Sequence, residues 1–385
     1  MCRDYFDSTK LRFPDYDNSI LSTITSILDY YGIDNGHKSL EILDKKLKKK
    51  YKNVVLFILD GMGEQILNNL SKNGYFKKNE LTCVTSVYPS TTTAAMTTYY
   101  SGRTPLETGW IAWSQYFKEY GRCLNMLPRV ESYTEEKLKK VSNDVYENVI
   151  NYKTVYEMLE EVGIKAFEVC PAHVERKSMR TLIADNLDEL CESIKTLCST
   201  PERKFILTYL DNPDGLLHKY GAGSDEAKEF ILSAEEKIEK MMLDLKNTLV
   251  IVSADHGHKD IGKVYSVLDY PDLRDCLIMP EFFESRFIGF WVKDDRKEEF
   301  ENIFKREFKD FMLLTKQEVL DMGLLGVGEV HKKVDDFLGN YVGVAIGSSI
   351  FRLQNDYFEG KKVKKSTHCG LTKDEMDVPV IVLGG

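Results

Sequence analysis

The strongest structural signal in this chain is VVLFILDGMG at residues 54–63, where six apolar residues run directly into an aspartate and two nearby glycines. Three further apolar runs occur: FILTYL (205–210), TLVIVSA (248–254) and VPVIVL (378–383). Short apolar runs rich in β-branched residues are typical of parallel strands that are buried on both faces. We therefore predict that all four runs are buried parallel strands of one sheet.

Helical patterns lie between these strands. Apolar residues recur at helical spacing over 17–32, where Asn18 is the predicted N-cap and Gly32 the stop, and again over 152–162 and 224–246. Strands that alternate with helices predict an α/β fold, here a mostly parallel central sheet sandwiched by helices. The 385 residues suit one large domain with an insertion, since domains run to about 100–200 residues.

Composition excludes several classes of protein. The 52 Lys+Arg against 61 Asp+Glu give a net charge of −9. A protein that binds nucleic-acid polymers needs a basic face, and a peripheral membrane anchor needs a polybasic segment. The acidic balance argues against both classes. The apolar runs are too short to span a bilayer. We expect the basic run at 45–50 to be a solvated helix end.

Cysteine usage and the N-terminus bear on location. Residues 1–7 are polar and lack the apolar segment of a secretory signal. The eight cysteines are therefore expected to be reduced thiols, mostly buried, in a cytoplasmic protein. Neither a CxxC motif nor other metal-ligand spacing of cysteines occurs.

Acidic residues and histidines follow three of the four predicted strands, namely Asp60, then Asp214 with His218, then Asp255 with His256. Ligands of such sheets bind outside the carboxyl ends of the strands, so we expect these side chains to lie together. Asp-Gly alone is ordinary turn chemistry. The adjacent acid and imidazole groups of DHGH (255–258) are a stronger signal, because they are costly to bury without a partner.

Four of the seven histidines belong to this group once His368, in STHCG (366–370), is added. Carboxylate and imidazole together suit zinc or a similar divalent ion. Six such ligands supply three to each of two four-coordinate metal ions, which leaves one position on each ion for a substrate or a hydroxyl. Two metal ions about 3.5–4 Å apart can clamp the attacking and leaving oxygens of a phosphoryl transfer. We predict two divalent metal ions, with zinc favoured and manganese as the alternative.

Hydroxyl side chains cluster in YPSTTTAAMTT (88–98), which follows a strand-like run and opens an apparent helix. Hydroxyls at a helix start are usually caps, but the same position offers backbone N–H groups to a phosphate. A hydroxyl that is bound to a metal ion becomes a usable nucleophile. Because the metal cluster is expected beside it, we predict that this segment supplies the nucleophile.

In order and spacing, these motifs resemble the alkaline phosphatase superfamily, and within it the nucleotide pyrophosphatase/phosphodiesterase type. The resemblance extends from about residue 50 to the end of the chain. It rests on five segments: LDGMG (59–63), YPSTTTAAMTTYYSGRTPLETGW (88–110), YLDNPDGLLHKYG (209–221), SADHGH (253–258) and STHCG followed by EMDVPVIVLG (366–384).

The resemblance implies a role for each site residue. One metal ion would be held, together with the nucleophile's oxygen, by Asp60, Asp255 and His256. The other would be held by Asp214, His218 and His368. The family's nucleophilic threonine aligns with Thr92, and a one-residue shift of the alignment would select Thr91 or Ser90 instead.

The resemblance also implies an activity, the hydrolysis of phosphodiester or pyrophosphate bonds in a small phosphorylated substrate such as a nucleotide derivative. Thr92 would attack phosphorus, and water would then hydrolyse the phosphothreonine. Alternatives within the superfamily are a phosphomonoesterase, a phosphonate C–P hydrolase and a phosphosugar mutase. A monoesterase would be expected to supply an extra cation near the phosphate, and Arg103 and Lys219 do not match family positions for that task. A non-catalytic metal-binding scaffold would be expected to lack a ligand, whereas all six are present.

The chain departs from the family pattern at two positions. Where the family has an asparagine after the nucleophile segment, this chain has Trp113, which would either stack on a flat substrate group or pack as a core aromatic. Where the family commonly has methionine, this chain has His258, which would either act beside the metals and substrate or be structural. We predict an inserted cap subdomain at 260–340 over the site, with 1–259 and 341–385 forming the catalytic core.

Overall fold

The structure is a computed structural model that describes residues 10–384 apart from 175, 176, 359 and 361. Residues 1–7, which were predicted to lack a secretory signal, lie outside the described residues. Among the helices of the described residues, none combines the length and the apolar character needed to cross a bilayer.

The helices and strands alternate along much of the chain. In chain order the strands are β1 (Asn53–Leu59), β2 (Glu80–Thr85), β3 (Ser114–Phe117), β4 (Arg122–Asn125), β5 (Val130–Glu131), β6 (Lys165–Cys170), β7 (Thr181–Ile183), β8 (Lys204–Leu210), β9 (Thr248–Ser253), β10 (Lys259–Asp260), β11 (Val264–Tyr265), β12 (Phe282–Glu284), β13 (Phe287–Phe290), β14 (Phe311–Thr315), β15 (Tyr341–Ala345), β16 (Ile350–Phe351), β17 (Ser366–Thr367) and β18 (Asp377–Leu383). The α-helices are α1 (Ile20–Tyr30), α2 (Glu41–Leu47), α3 (Glu64–Leu70), α4 (Tyr75–Lys78), α5 (Thr92–Ser101), α6 (Pro105–Thr108), α7 (Lys139–Asp144), α8 (Val155–Glu161), α9 (Leu187–Ser199), α10 (Asp214–Tyr220), α11 (Asp225–Asp244), α12 (Pro271–Asp275), α13 (Lys297–Glu307), α14 (Lys316–Asp321), α15 (Val334–Phe337), α16 (Gln354–Phe358) and α17 (Lys373–Met376).

The central sheet of the described residues has the strand order β2-β18-β9-β1-β8-β6-β7. The pairs from β9 through β7 are all parallel. Every residue of β1, β8 and β9 is buried, as expected for apolar strands covered by helices on both faces. The main hydrophobic core packs against this sheet and includes buried residues of α1, α5, α9 and α11. The predicted α/β fold with a mostly parallel central sheet is confirmed.

One of the four strand predictions is wrong in its direction. The run at 378–383 forms β18, which is antiparallel to both of its neighbours, β9 and β2. The physical reason is that a strand buried on both faces shows the same apolar pattern whichever way it runs. Strand direction is set by the path of the preceding chain, which the pattern does not record.

The predicted helices are present, with one corrected boundary. The helix predicted over 17–32 is α1, and its N-cap is Ser19, whose hydroxyl accepts a hydrogen bond from the Leu21 N–H at 3.2 Å. The predicted cap, Asn18, instead donates to the Asp15 carboxylate. The basic run at 45–50 lies at the exposed end of α2, as predicted. None of the described cysteines forms a disulfide bond, and most of them are buried.

A second sheet in the described residues has the order β14-β15-β13-β12-β3-β4-β5, with antiparallel pairs throughout. It takes β12, β13 and β14 from the predicted cap at 260–340. It also takes β3, β4 and β5 from the chain that follows α6, and β15 from just beyond residue 340. The division into a core of 1–259 and 341–385 and a cap of 260–340 stays a prediction.

Candidate active site

The parallel strands bring the predicted ligands to one edge of the central sheet. β1 lies between β8 and β9, with Leu59 opposite Leu210 and Ile58 opposite Ser253. The residues that follow these three strands therefore leave the sheet at the same edge, as expected. The Asp214 N–H donates to the backbone carbonyl of Asp60 at 2.9 Å, so the segments after β1 and β8 are joined directly.

His368 reaches this edge from the opposite direction. Because β18 runs antiparallel to β9, the beginning of β18 lies at the edge where β9 ends. The chain that precedes β18, which contains β17 and His368, therefore passes over the site. Its path is held by the pairing of β17 with β10, the short strand that follows the DHGH segment.

The inner cluster consists of Asp60, Asp255 and His256, whose nearest donor atoms all lie within 4.8 Å of one another. His256 Nε2 is 3.5 Å from Asp60 Oδ1 and 3.4 Å from Asp255 Oδ2. Both of these carboxylate oxygens are buried and accept no hydrogen bond from the described residues. Buried polar atoms are nearly always satisfied, so a divalent cation fits between them.

Burial governs the charge of the inner cluster. It raises the pKa of Asp255 to about 7. Burial, with the neighbouring charges of Asp255 and Asp214, also raises the pKa of Asp60 well above its usual range. Ionised carboxylates at this depth need a positive partner, and a metal ion would provide one.

The outer cluster is centred on Asp214, whose Oδ1 lies close to three histidines. The distances from this oxygen are 2.6 Å to His258 Nε2, 3.4 Å to His218 Nε2 and 3.8 Å to His368 Nε2. The His256 and His368 rings are stacked with their centroids 3.8 Å apart, which joins the inner and outer clusters. The structure thus brings together all the predicted metal ligands and places His258 beside them.

The three histidines predicted as ligands share one orientation. Each places Nδ1 against a backbone carbonyl, with His218 2.8 Å from Ser366, His256 3.1 Å from Gly257 and His368 3.1 Å from Ser90. A carbonyl oxygen can only accept, so each Nδ1 carries the hydrogen and each Nε2 is left with a lone pair. A hydrogen bond of this kind orients a metal-ligating histidine. Burial also lowers the pKa of His218 to about 3, which keeps the ring neutral.

The hydroxyl of Thr92, the first residue of α5, lies against the inner cluster. Its Oγ1 is 3.3 Å from Asp60 Oδ2 and 3.2 Å from His256 Nε2. The two alternatives point elsewhere: the Ser90 hydroxyl donates to the Gly370 carbonyl, and the Thr91 hydroxyl bonds to Glu284. Of the three candidates, Thr92 is the one whose hydroxyl contacts the inner cluster.

A cavity of about 390 Å³ opens above the clusters. Its lining includes Thr92, Asp214, His218 and His368, and the indole of Trp113 forms part of its wall. Trp113 is 41% exposed, so it does not pack in the core, which was one of the two roles that the sequence allowed.

His258 is 1% exposed and is not among the described residues that line the cavity. Its Nδ1 lies 3.1 Å from the Ser366 hydroxyl, and its Nε2 faces Asp214. The prediction that His258 contacts substrate is therefore not supported by a contact in the cavity wall and stays a prediction.

Three further residues were missed by the sequence reasoning. The Tyr209 hydroxyl donates to Asp60 Oδ2, Glu284 accepts from the Trp113 N–H at 2.8 Å, and Lys364 Nζ lies 2.9 Å from His218 Nε2. Tyr209 and Glu284 lie in strands whose other residues are mostly apolar, so the sequence pattern does not mark them as site residues. Lys364 had a usable signal, since KKVKK (361–365) comes directly before the STHCG motif.

Comparison with known proteins identifies the family and the fold. A sequence model of the family described as type I phosphodiesterase / nucleotide pyrophosphatase matches residues 54–321. No curated protein sequence matches the chain. The following solved structures share the fold.

The murine ectonucleotide pyrophosphatase / phosphodiesterase 5 has a TM-score of 0.66 at 15% identity, over 86% of this chain and 88% of that chain. An inactive variant of the murine protein in complex with AMP has a TM-score of 0.65 at 14% identity, over 86% and 87% of the two chains. Phosphonoacetate hydrolase from Sinorhizobium meliloti, in complex with phosphonoformate, has a TM-score of 0.62 at 15% identity, over 86% and 90%.

The family match covers well over half of the chain and includes the segments that carry Asp60, Thr92 and the DHGH motif. The family is metal-dependent, and the two acid–histidine clusters could bind metal. The chain therefore belongs to the type I phosphodiesterase / nucleotide pyrophosphatase family of the alkaline phosphatase superfamily, and it is a phosphoric ester hydrolase.

Proposed function

We propose that this protein hydrolyses phosphodiester or pyrophosphate bonds of small phosphorylated compounds, with Thr92 as nucleophile and two divalent metal ions. One observation carries the proposal. The Thr92 hydroxyl lies within 3.3 Å of a cluster whose buried carboxylate oxygens, Asp60 Oδ1 and Asp255 Oδ2, have no hydrogen-bond partner among the described residues. A hydroxyl beside a cation-binding cluster is the arrangement that an activated nucleophile needs.

The donor set suits two metal ions. The first would be held by Asp60, Thr92, Asp255 and His256. The second would be held by Asp214, His218 and His368. Mixed nitrogen and oxygen ligands favour zinc, with manganese as the alternative. Cations bound there would neutralise charge on the phosphoryl oxygens and lower the pKa of the Thr92 hydroxyl.

The chain's own residues orient the reaction. Thr92 loses its hydroxyl proton to solvent, and its Oγ1 forms the bond to phosphorus while the bond to the leaving oxygen breaks. Water then attacks the phosphothreonine, the bond between Thr92 Oγ1 and phosphorus breaks, and Oγ1 regains a proton. Thr91, the N-cap of α5, makes no side-chain capping hydrogen bond in the described structure, so backbone N–H groups of the first turn of α5 would bind phosphoryl oxygens. Tyr209 donates a hydrogen bond to Asp60 and so helps to fix that carboxylate beside Thr92.

The cavity indicates the kind of substrate. The half-exposed indole of Trp113 can stack on a flat group, and a nucleobase is the common biological example. The AMP complex of the murine neighbour supports a nucleotide derivative. We therefore propose a small nucleotide-like substrate. The cytoplasmic location of the protein stays a prediction.

The activity is tested with chromogenic esters. After reconstitution with zinc or manganese, we expect kcat/KM for bis(4-nitrophenyl) phosphate to exceed that for 4-nitrophenyl phosphate by about tenfold or more. A chelator should abolish both reactions, with metal content measured in parallel. A preference for the monoester would favour the phosphomonoesterase alternative, and inactivity of the metal-loaded protein on both esters would contradict the proposal.

His258 is expected to position Asp214 for the outer metal ion. Its Nε2 lies 2.6 Å from Asp214 Oδ1, and its Nδ1 is held by Ser366, whose own hydroxyl donates to the Leu217 carbonyl. We expect His258→Gln to weaken zinc binding at the outer cluster by about 10–100-fold, the usual effect of losing such a supporting contact. Calorimetric titration of the metal-free protein with zinc measures this.

The matched control is His173→Gln, because His173 is exposed and lies outside both clusters. It should bind zinc as the unchanged protein does. Unchanged zinc affinity in the His258 variant would refute the positioning role.

A further inference from the structure

Lys364 occupies the position from which a metal ion would approach His218. Its Nζ lies 2.9 Å from His218 Nε2. Because Nδ1 of the same ring donates to the Ser366 carbonyl, Nε2 can only accept, and Lys364 is the donor. This lone pair is also the one that His218 would give to a metal ion. A metal ion at the outer cluster and Lys364 therefore compete for one atom.

The backbone beside Lys364 is held by hydrogen bonds, whereas its side chain is exposed. The Lys365 N–H donates to the His218 carbonyl at 2.8 Å, and the Lys365 carbonyl accepts from the Ile261 N–H at 2.9 Å. The Lys364 side chain is exposed and also lines the cavity. Since an ammonium group and a divalent cation repel each other, metal binding would turn Nζ away from His218. Because the backbone beside Lys364 is held and Lys364 lines the cavity, the displaced ammonium stays near the cavity.

The position of Lys364 places its ammonium on the side of the site from which the leaving group would depart. In an in-line phosphoryl transfer the leaving group departs on the side of phosphorus away from the attacking oxygen. Thr92 contacts the inner cluster, through Asp60 and His256. Lys364 contacts His218, which belongs to the outer cluster. The ammonium is therefore at the end of the site that faces the departing group.

The cavity wall carries other charged side chains besides Lys364. Arg352, Asp356 and Lys362 also line the wall. Arg352 and Asp356 each have an interaction partner in the structure. Glu284 is engaged by the Trp113 N–H and the Thr91 hydroxyl. Lys364 is the cation whose described contact, with His218, would be broken by metal binding.

We propose that Lys364 is a specificity-determining residue: it leaves His218 when the outer metal ion binds, and it then binds an anionic leaving group, such as the pyrophosphate of a nucleoside triphosphate. This inference rests on the proposed function and narrows it. Substrates with a charged leaving group are favoured over esters whose leaving group carries no separate anionic group. A charge-assisted contact of this kind fixes both affinity and position.

The test compares two substrates that share the same thymidylyl group. Thymidine triphosphate releases pyrophosphate, whereas thymidine 5′-(4-nitrophenyl phosphate) releases nitrophenolate. We expect Lys364→Met to lower kcat/KM for the triphosphate by about 10–100-fold, as for a lost hydrogen bond to a charged group, and to leave the nitrophenyl ester within about twofold. Lys364→Arg should restore most of the preference. Lys365→Met is the matched control, since Lys365 is exposed in the same loop and does not line the cavity.

A second measurement does not depend on turnover. In Lys364→Met no ammonium competes for His218 Nε2, so calorimetric titration of the metal-free protein with zinc should show tighter binding at the outer cluster, by about threefold or more. Equal losses on both substrates, or zinc affinity equal to that of the unchanged protein, would overturn the inference. If the unchanged protein cleaves neither substrate, the proposed function fails instead, and the zinc titration still decides whether Lys364 and the metal compete.

Discussion

Replacing Thr92 with valine is expected to lower kcat by at least about 10³-fold while the metal content of the protein stays the same. Valine has the shape of threonine but lacks the hydroxyl that lies 3.3 Å from Asp60 and 3.2 Å from His256. Without this oxygen no phosphothreonine can form. Asp60, Asp255 and His256 remain to hold the inner metal ion. Steady-state kinetics and metal analysis of the same preparation measure the two quantities.

The adjacent threonine provides a matched control. Thr93 is fully buried, and its hydroxyl has no hydrogen-bond partner among the described residues. Thr93→Val therefore makes the same isosteric change one residue along α5 without removing a contact, and its activity should stay close to that of the unchanged protein. Thr92→Ser, which keeps a hydroxyl, should retain measurable turnover. Activity of Thr92→Val comparable to that of Thr93→Val would transfer the role to another group.

The sequence could predict which side chains form both clusters because strand order and chemistry coincide in them. Asp60 and the DHGH segment follow the apolar strands β1 and β9 directly, and parallel strands carry such residues to one edge. The direction of β18 could not be predicted in this way. Its reversal explains why His368 precedes its strand while the other ligands follow theirs.

The contacts around the ligands were beyond the sequence pattern for a different reason. Tyr209 reaches Asp60 from within an apolar strand, and Glu284 lies in β12 of the second sheet. The position of each depends on how elements distant in sequence pack together. Lys364 is close in sequence to His368, yet its contact is with His218, which comes from α10. A linear motif identifies residue types at a site more readily than the partners that orient them.

Asp255→Asn is expected to remove the inner metal ion and to lower kcat about as much as Thr92→Val, by at least about 10³-fold. The neutral amide is a poor metal ligand, and Asp255 Oδ2 is one of the unpartnered oxygens that face His256. The remaining oxygen can still accept from the Gly61 and His256 N–H groups, at 3.1 and 3.0 Å, so the fold should be preserved. Metal analysis should find one ion lost per chain.

The same substitution should stabilise the protein when no metal is present. Burial raises the pKa of Asp255 to about 7 in the folded chain, against 3.8 for an ordinary aspartate. The folded state therefore holds this proton more tightly than the unfolded state. The stability that the proton contributes is complete below pH 3.8 and is lost as the pH rises through 7. At pH 8, metal-free Asp255→Asn should melt at a higher temperature than the metal-free unchanged protein, and the difference should shrink as the pH falls towards 4.

The control for both effects is Asp211→Asn, at an aspartate that follows β8 at the same sheet edge but is half-buried and outside the clusters. It should change neither the metal content nor the pH dependence of melting. Full metal content in Asp255→Asn would show that Asp255 is not a ligand. A lower melting temperature of its metal-free form at pH 8 would show that the buried, ionised Asp255 carboxylate does not destabilise the metal-free protein. The two outcomes separate the functional role of the carboxylate from its electrostatic cost, because a metal ligand that is buried for function should destabilise the fold whenever the metal is absent.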